Sequence, residues 1–217
     1  MTAASGNSRE RTALLPGDYV SPGLRVTALL GPGVYRCTPE EGGPELVVKL
    51  VELSSVSPSN VARVELEATL LEGVASPSIA SPLFVLRDDQ RLVVAYPWAA
   101  GTTLEERLQQ GPLDVQQALA VFGAVFSALR ELHRHKLLHR AIRPGNIVLT
   151  PEGGPARAVL VDHGPIAGAA GHDSAARADL LAAARYLSPE QAGSIDHDVN
   201  DASDLYSAGV TLFHCLA

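Results

Sequence analysis

Cysteine is scarce in this sequence. Its 217 residues hold two, Cys37 and Cys215, far apart and without the paired spacing of a metal site. That excludes a disulfide framework and a cysteine-bound zinc, and a reducing, cytoplasmic location is the expected setting. Basic charge is short as well. The 17 Lys and Arg are outnumbered by 24 Asp and Glu, for a formal net charge of −7. General binding to nucleic acid or to an anionic membrane rewards a basic surface, so neither partner is expected. No apolar run approaches the roughly 20 residues that span a bilayer. The opening "MTAASGNSRERTALLPG" lacks the apolar core of a signal peptide.

What is present fits a globular chain, with 46% hydrophobic and 19% charged residues. The opening dozen residues are small and polar, and residues 1–16 are expected to form a disordered tail. "GLRVTALLGPGVYRC" and "ELVVKLVEL" are rich in β-branched residues and read as strands around the turn "EEGG". "SNVARVELEATLLEGV" reads as a helix with Val61, Val64, Ala68 and Leu71 on one face and Ser59 or Asn60 as its cap. "SPLFVLRDDQRLVVAY" reads as a hairpin turning at Asp88-Asp89-Gln90. "PWAAGTT" reads as a hinge near residues 97–101. Beyond it the pattern becomes helical. Residues 114–136 carry a capping box, Asp114 with Gln117, and an apolar stripe of Phe122, Val125, Phe126, Leu129 and Leu132. "SDLYSAGVTLFHCLA" stops inside a helix-like pattern, so continuation of the domain is expected.

"LLHRAIRPGNIVLT", Leu137 to Thr150, reads as an apolar strand, a polar turn and a second strand. Its turn gathers His139, Arg140, Arg143 and Asn146 around an inert Ala141. Other parts suited to phosphoryl transfer, which needs phosphates and metals positioned and their charge balanced, lie along the chain in order. Lys49 sits on a strand, Glu67 on the following helix within reach of that lysine, Asn146 in the turn, and Asp162 just after the strand "ARAVLVD", as a hard-oxygen ligand for magnesium. Read singly, each has a plainer role. Lys49 could be a solvent-facing edge lysine, Glu67 a surface charge with Glu65 as the alternative partner, and Asn146 or Asp162 a turn former. His133 and His135 suit the C-terminal end of a helix.

Taken together, these segments resemble a eukaryotic-type Ser/Thr protein kinase domain. Leu46-Val47-Val48-Lys49 is similar to the lysine strand V-A-I-K, and His139-Arg140-Ala141-Ile142-Arg143-Pro144-Gly145-Asn146 to the catalytic loop H-R-D-L-K-P-x-N. Asp162-His163-Gly164 resembles D-F-G, Ser188-Pro189-Glu190 resembles A-P-E, and "SDLYSAGV" resembles the family's D-x-Y-S-x-G helix start. The resemblance implies an α+β, two-lobed fold, with a strand-rich lobe over residues 17–97 and a partial helical lobe over 98–217. It implies ATP and Mg²⁺ as cofactors. Gly31, Gly33, Lys49, Glu67, Val94 (as gatekeeper) and Tyr96 would then lie at the nucleotide, Asn146 and Asp162 at the metal, and Arg143 on the phosphate side. The later segments also resemble a bacterial subset in which such a domain opens a long multidomain signalling protein. Protein partners or further domains of the same chain are therefore expected.

Three departures bear on activity. Ala141 stands where the family has the aspartate that takes the substrate hydroxyl's proton, a contribution of about 10²–10⁴ in rate for a general base. Gly31-Pro32-Gly33 runs straight into Val34, so the glycine loop is short and weak nucleotide binding is expected. His163 replaces the phenylalanine of D-F-G. Arg143 for lysine keeps the charge with a different geometry. Ser174 is read as an ordinary loop serine, with a phosphosite facing Arg140 as the alternative. The sequence therefore points to an impaired, regulatory kinase-like domain. An active kinase using another base, or a small-molecule phosphotransferase of the aminoglycoside type, stands as the alternative.

Overall fold

A computed structural model of the chain describes residues 14–31, 33–74, 76–151, 157–161 and 181–217. Asp162, His163, Gly164, Ser174 and all but the last three residues of the expected tail lie outside them.

The first half is a six-stranded antiparallel sheet in the order β1-β2-β3-β4-β6-β5. The strands are β1 (Tyr19–Ser21), β2 (Leu24–Gly31), β3 (Val34–Pro39), β4 (Leu46–Glu52), β5 (Phe84–Arg87) and β6 (Arg91–Pro97). β4 and β6 pair along their whole length, from Leu46 opposite Pro97 to Glu52 opposite Arg91. Being central, they are the most apolar, and alternate side chains serve two cores. Val26, Tyr35, Cys37, Val48, Val93 and Ala95 form one cluster. Val51, Leu92, Val94 and Tyr96 meet Val61 and Ala68 of helix α1 (Pro58–Glu72) in the other. The cap of α1 is Ser57, whose hydroxyl accepts from the Asn60 N–H at 3.4 Å, and not Ser59 or Asn60. Pro58 decides the start, because proline fits the first helical position and has no N–H to leave unpaired. The 84–97 hairpin turns as expected, with Asp88 Oδ1 accepting from the Gln90 and Arg91 N–H groups at 2.7 Å each.

The second half contains α2 (Leu104–Leu108), α3 (Val115–Arg134), α4 (Asp201–Leu216) and a small sheet of β7 (Thr102–Thr103), β8 (Ile147–Thr150) and β9 (Arg157–Leu160). α3 is its axis. Asp114 and Gln117 close the expected capping box, and Val121, Phe122, Val125, Leu129 and Leu132 are buried. Phe126 is 40% exposed, at the edge of the stripe rather than within it. Leu137 and Leu138 are not a strand. Leu137 is buried in the core that also holds Leu104, Ile142, Ile147 and Cys215, while the chain passes into the 139–146 loop without sheet partners. Cys37 and Cys215 are free and fully buried, and burial pushes both thiols up to about 11. They act as small core residues, not nucleophiles.

The junction after β6 depends on a missing side chain. A Cβ on Gly101 would stand 2.2 Å from the Leu149 carbonyl oxygen and 2.9 Å from Val148 Cγ1. Gly101→Ala must therefore push β8 away from the junction. A loss of about 1–3 kcal/mol is expected from such overpacking, read as a lowered denaturant midpoint, with Gly123→Ala, where a Cβ meets open space, as the control.

Candidate active site

The sheet places by register the residues that the sequence analysis expects at a nucleotide. Val34, Lys49 and Val94 form one cross-strand row, and Arg36, Val47 and Tyr96 form the next row on the same face. Val94 and Tyr96 are buried and Lys49 is half-buried. The glycine segment is a tight corner. Gly31 pairs directly with Val34, so two residues turn the chain. Gly33 has φ +69°, its carbonyl accepts from the Leu50 N–H at 2.8 Å, and a Cβ there would lie 2.8 Å from the Leu50 carbonyl oxygen. Only glycine fits both the left-handed backbone and that approach.

The 139–146 loop is held by one buried carboxylate. Asp204, on the first turn of α4, is 1% exposed. It accepts from the His139 N–H at 2.9 Å, the Arg140 N–H at 2.7 Å and His133 Nε2 at 2.9 Å. Arg140 sits at φ +62°, a conformation that non-glycine residues rarely take. Its carbonyl accepts from Gln191 Nε2 at 2.9 Å, so its peptide groups are fixed on both sides. Burial pushes the Asp204 carboxyl up. The hydrogen bond from His133, the neighbouring His139 and the two backbone N–H groups outweigh it and hold the group below the usual range. The hydrogen bond to Asp204 raises His133 against the opposing effect of burial, with Asp201 assisting.

These shifts define a pH window. A raised His133 contributes stability that is fully present below its unfolded value of about 6.5 and is lost as pH rises through the higher folded value. A lowered Asp204 contributes stability present above about 3.9 and lost as pH falls through the folded value. The pair therefore supports the fold most between about pH 4 and 6.5. Urea midpoints measured across this range should decline on the alkaline side in the unmodified protein, and His133→Gln should flatten that decline.

Ala141 is half-buried, its N–H 3.4 Å from His139 Nδ1. Its carbonyl accepts from Asn146 Nδ2 at 2.8 Å. That bond occupies the amide nitrogen of Asn146. Val161, the residue before Asp162, donates to the Asn146 backbone carbonyl at 3.0 Å. A hard-oxygen donor beside the entry to Asp162 fits magnesium on its described side. Arg143 is half-buried at the same loop. A Cβ on Gly145 would stand 3.6 Å from Arg143 Nη1 and 3.0 Å from Glu105 Oε2, so α2 lays a carboxylate against the loop that the sequence did not signal.

Glu67 lies on α1, the helix that follows the lysine strand. Its carboxylate accepts from Arg140 Nη1 at 2.8 Å, and this, rather than a bond with Lys49, is the ion pair it makes among the described residues. Glu65, the alternative partner for Lys49, pairs instead with Arg87 on β5 at 3.1 Å. Glu190 accepts from the Ser203 hydroxyl, which, with its own backbone N–H and Ser188, holds its carboxyl low.

Comparison with known proteins agrees with this architecture. The family model described as "Protein kinase domain" matches residues 29–217. Serine/threonine-protein kinase PrkC of Bacillus subtilis is 25% identical over 210 residues, covering 94% of this chain and 32% of that protein. Serine/threonine-protein kinase PknK of Mycobacterium tuberculosis is 29% identical over 215 residues, covering 96% of this chain and 19% of that protein. The chain thus spans a third or less of the length of these relatives. The crystal structure of the Mycobacterium tuberculosis PknI kinase domain superposes with a TM-score of 0.70 at 25% identity, over 94% of this chain and 78% of that one. With the matched family model, the sheet-plus-helix fold and the ordered loop in agreement, the chain belongs to the protein kinase domain family.

Proposed function

We propose that this Ser/Thr kinase-like domain is a pseudokinase: a regulatory signalling module, with lobes over 17–97 and 98–217, that binds ATP with Mg²⁺ weakly and transfers phosphate poorly or not at all. One observation carries the reading. Ala141 puts a methyl group at the centre of a loop whose scaffold is otherwise complete, and a methyl group can neither accept a proton nor orient a hydroxyl. The two-residue corner at Gly33 supports weak binding, since it has no span to fold over a phosphate chain and few N–H groups to offer it. Lys49, Asn146 and Asp162 are the groups that would hold the nucleotide and metal, with Val94 and Tyr96 flanking the base and Arg143 facing the transferred phosphate. Asn146 and Asp162 would hold Mg²⁺, which would supply neutralisation of phosphate charge. Partners are proteins or further domains of the same protein, reached through conformation rather than phosphorylation, in the cytoplasm. Among the described residues no helix is long and apolar enough to cross a membrane.

Calorimetric titration with ATP and Mg²⁺ tests the binding half. Saturable heat that is lost in Lys49→Ala is expected. Absence of any binding would reduce the domain to a scaffold.

A further inference from the structure

We propose that Arg36, Glu45 and Trp98 form a clamp that fastens the junction between the two halves of the domain to the sheet, so that bending between the halves is confined to Ala99 and Ala100. The clamp is independent of whether the domain takes a nucleotide.

Three segments meet in it. Arg36 is on β3, Glu45 immediately precedes β4, and Trp98 follows the last residue of β6. β3, β4 and β6 are successive neighbours in the sheet, so the three residues come together near one end of it. The β4–β6 ladder ends at Leu46 opposite Pro97, and one further bond continues it, from the Trp98 N–H to the Glu45 carbonyl at 3.0 Å. The side chains then close over that last bond. The Arg36 guanidinium lies over the Trp98 indole, its Cζ 4.4 Å from the ring centroid, and Nη2 of the same group pairs with the Glu45 carboxylate. A planar guanidinium can stack on an aromatic face and donate to a carboxylate at once. The Arg36 and Glu45 side chains are 35% and 36% exposed, and Arg36 Nε is shielded from water, so both attractions act in a partly dried setting.

The far end of the junction is fastened separately. Gly101 lies so close to β8 that a Cβ would collide with the Leu149 carbonyl. Thr102 and Thr103 pair with Leu149 and Val148, and Thr103 caps α2 in a capping box with Glu106. Ala99 and Ala100 stand between the two fastenings. Neither makes a hydrogen bond among the described residues. Their methyl groups leave φ and ψ free to change without dragging a long side chain. Two unbonded residues between fixed ends are where a change of orientation is absorbed. The hinge expected over residues 97–101 thus narrows to its centre.

The test uses the full-length protein with Arg36→Gln and Glu45→Gln, which remove the two charges at partly exposed positions. Hydrogen exchange is read as the rate of the Trp98 amide relative to the α3 amides Val121–Leu129. That ratio should rise by about five-fold in each variant, the effect of losing one weak electrostatic contact. An unchanged ratio in either variant overturns the clamp. Trp98 is the only tryptophan, so acrylamide quenching reports its cover directly. Quenching should increase in Arg36→Gln, and equal quenching overturns the stack. Confinement is tested with spin labels on Asp89→Cys and Arg130→Cys, exposed positions in the β5–β6 turn and on α3, while the native Cys37 and Cys215 are buried. The label-to-label distance distribution should broaden in Ala100→Gly, which loosens the hinge, and in Arg36→Gln, which lengthens it. An unchanged width in either variant overturns the confinement to Ala99 and Ala100.

Discussion

Asp204→Asn is expected to destabilise the domain by about 3–5 kcal/mol, the range for breaking a buried charged network by removing one partner. The carboxylate serves three donors from two distant segments, the ring of His133 and the N–H groups of His139 and Arg140. An amide has the same shape but one acceptor oxygen, and its NH₂ group faces a donor. One or more of those buried N–H groups then loses its partner, and each such loss costs about 1–3 kcal/mol. The strained backbone at Arg140 loses its restraint at the same time. For a domain of this size the change corresponds to a fall in Tm of roughly 6–20 °C. Asp201→Asn supplies the contrast. Its carboxylate is 62% exposed and 4.0 Å from His133 Nδ1, and a change within about 0.5 kcal/mol is expected there. Thermal unfolding of the two variants side by side checks both numbers. Equal effects would mean that the loop is not held by Asp204.

The second large effect is a gain. Ala141→Asp is expected to raise phosphotransfer by about 10²–10⁴ at saturating ATP, the usual contribution of a positioned base. The surrounding loop is already built to receive it. Ala141's carbonyl is anchored by Asn146, its N–H faces His139, and Arg140 before it is locked on both sides. A new side chain therefore leaves a fixed backbone instead of having to order a loose one. Ala141→Asn is the control, equal in size but unable to take the proton, and should show no comparable gain. Radiolabel transfer to a generic acceptor protein, followed for all three proteins, distinguishes a base effect from a packing effect.

Much of the fold was legible in the sequence because its parts are local. The capping box at Asp114 and Gln117, the apolar face of α3 and the paired runs of β4 and β6 follow from periodicity within one element. So does the Gly31–Val34 corner, where two glycines flank a proline. What was not legible depends on how elements meet. Glu67 and Arg140 are 73 residues apart, and no spacing in the sequence marks their pairing. Leu137 and Leu138 looked like a strand because apolar pairs begin strands, yet Leu137 fills the α3 core. Phe126 follows Phe122 by one turn, but the core stops short of it. The cap of α1 went to Ser57 because Pro58 sets the first turn, a constraint stronger than the preference among neighbouring polar residues. Glu105 reaches the loop through the short helix α2, and no motif marks it.

The central claim is that Ala141 leaves a kinase fold without effective phosphotransfer. The most direct measurement is radiolabel transfer from ATP with Mg²⁺ by the unmodified full-length protein, run beside Asp162→Ala, which removes the metal-side carboxylate. Transfer at the same background level in both proteins is the predicted result. Robust transfer by the unmodified protein that disappears in Asp162→Ala would contradict it, and would make the domain an active kinase with an unconventional base.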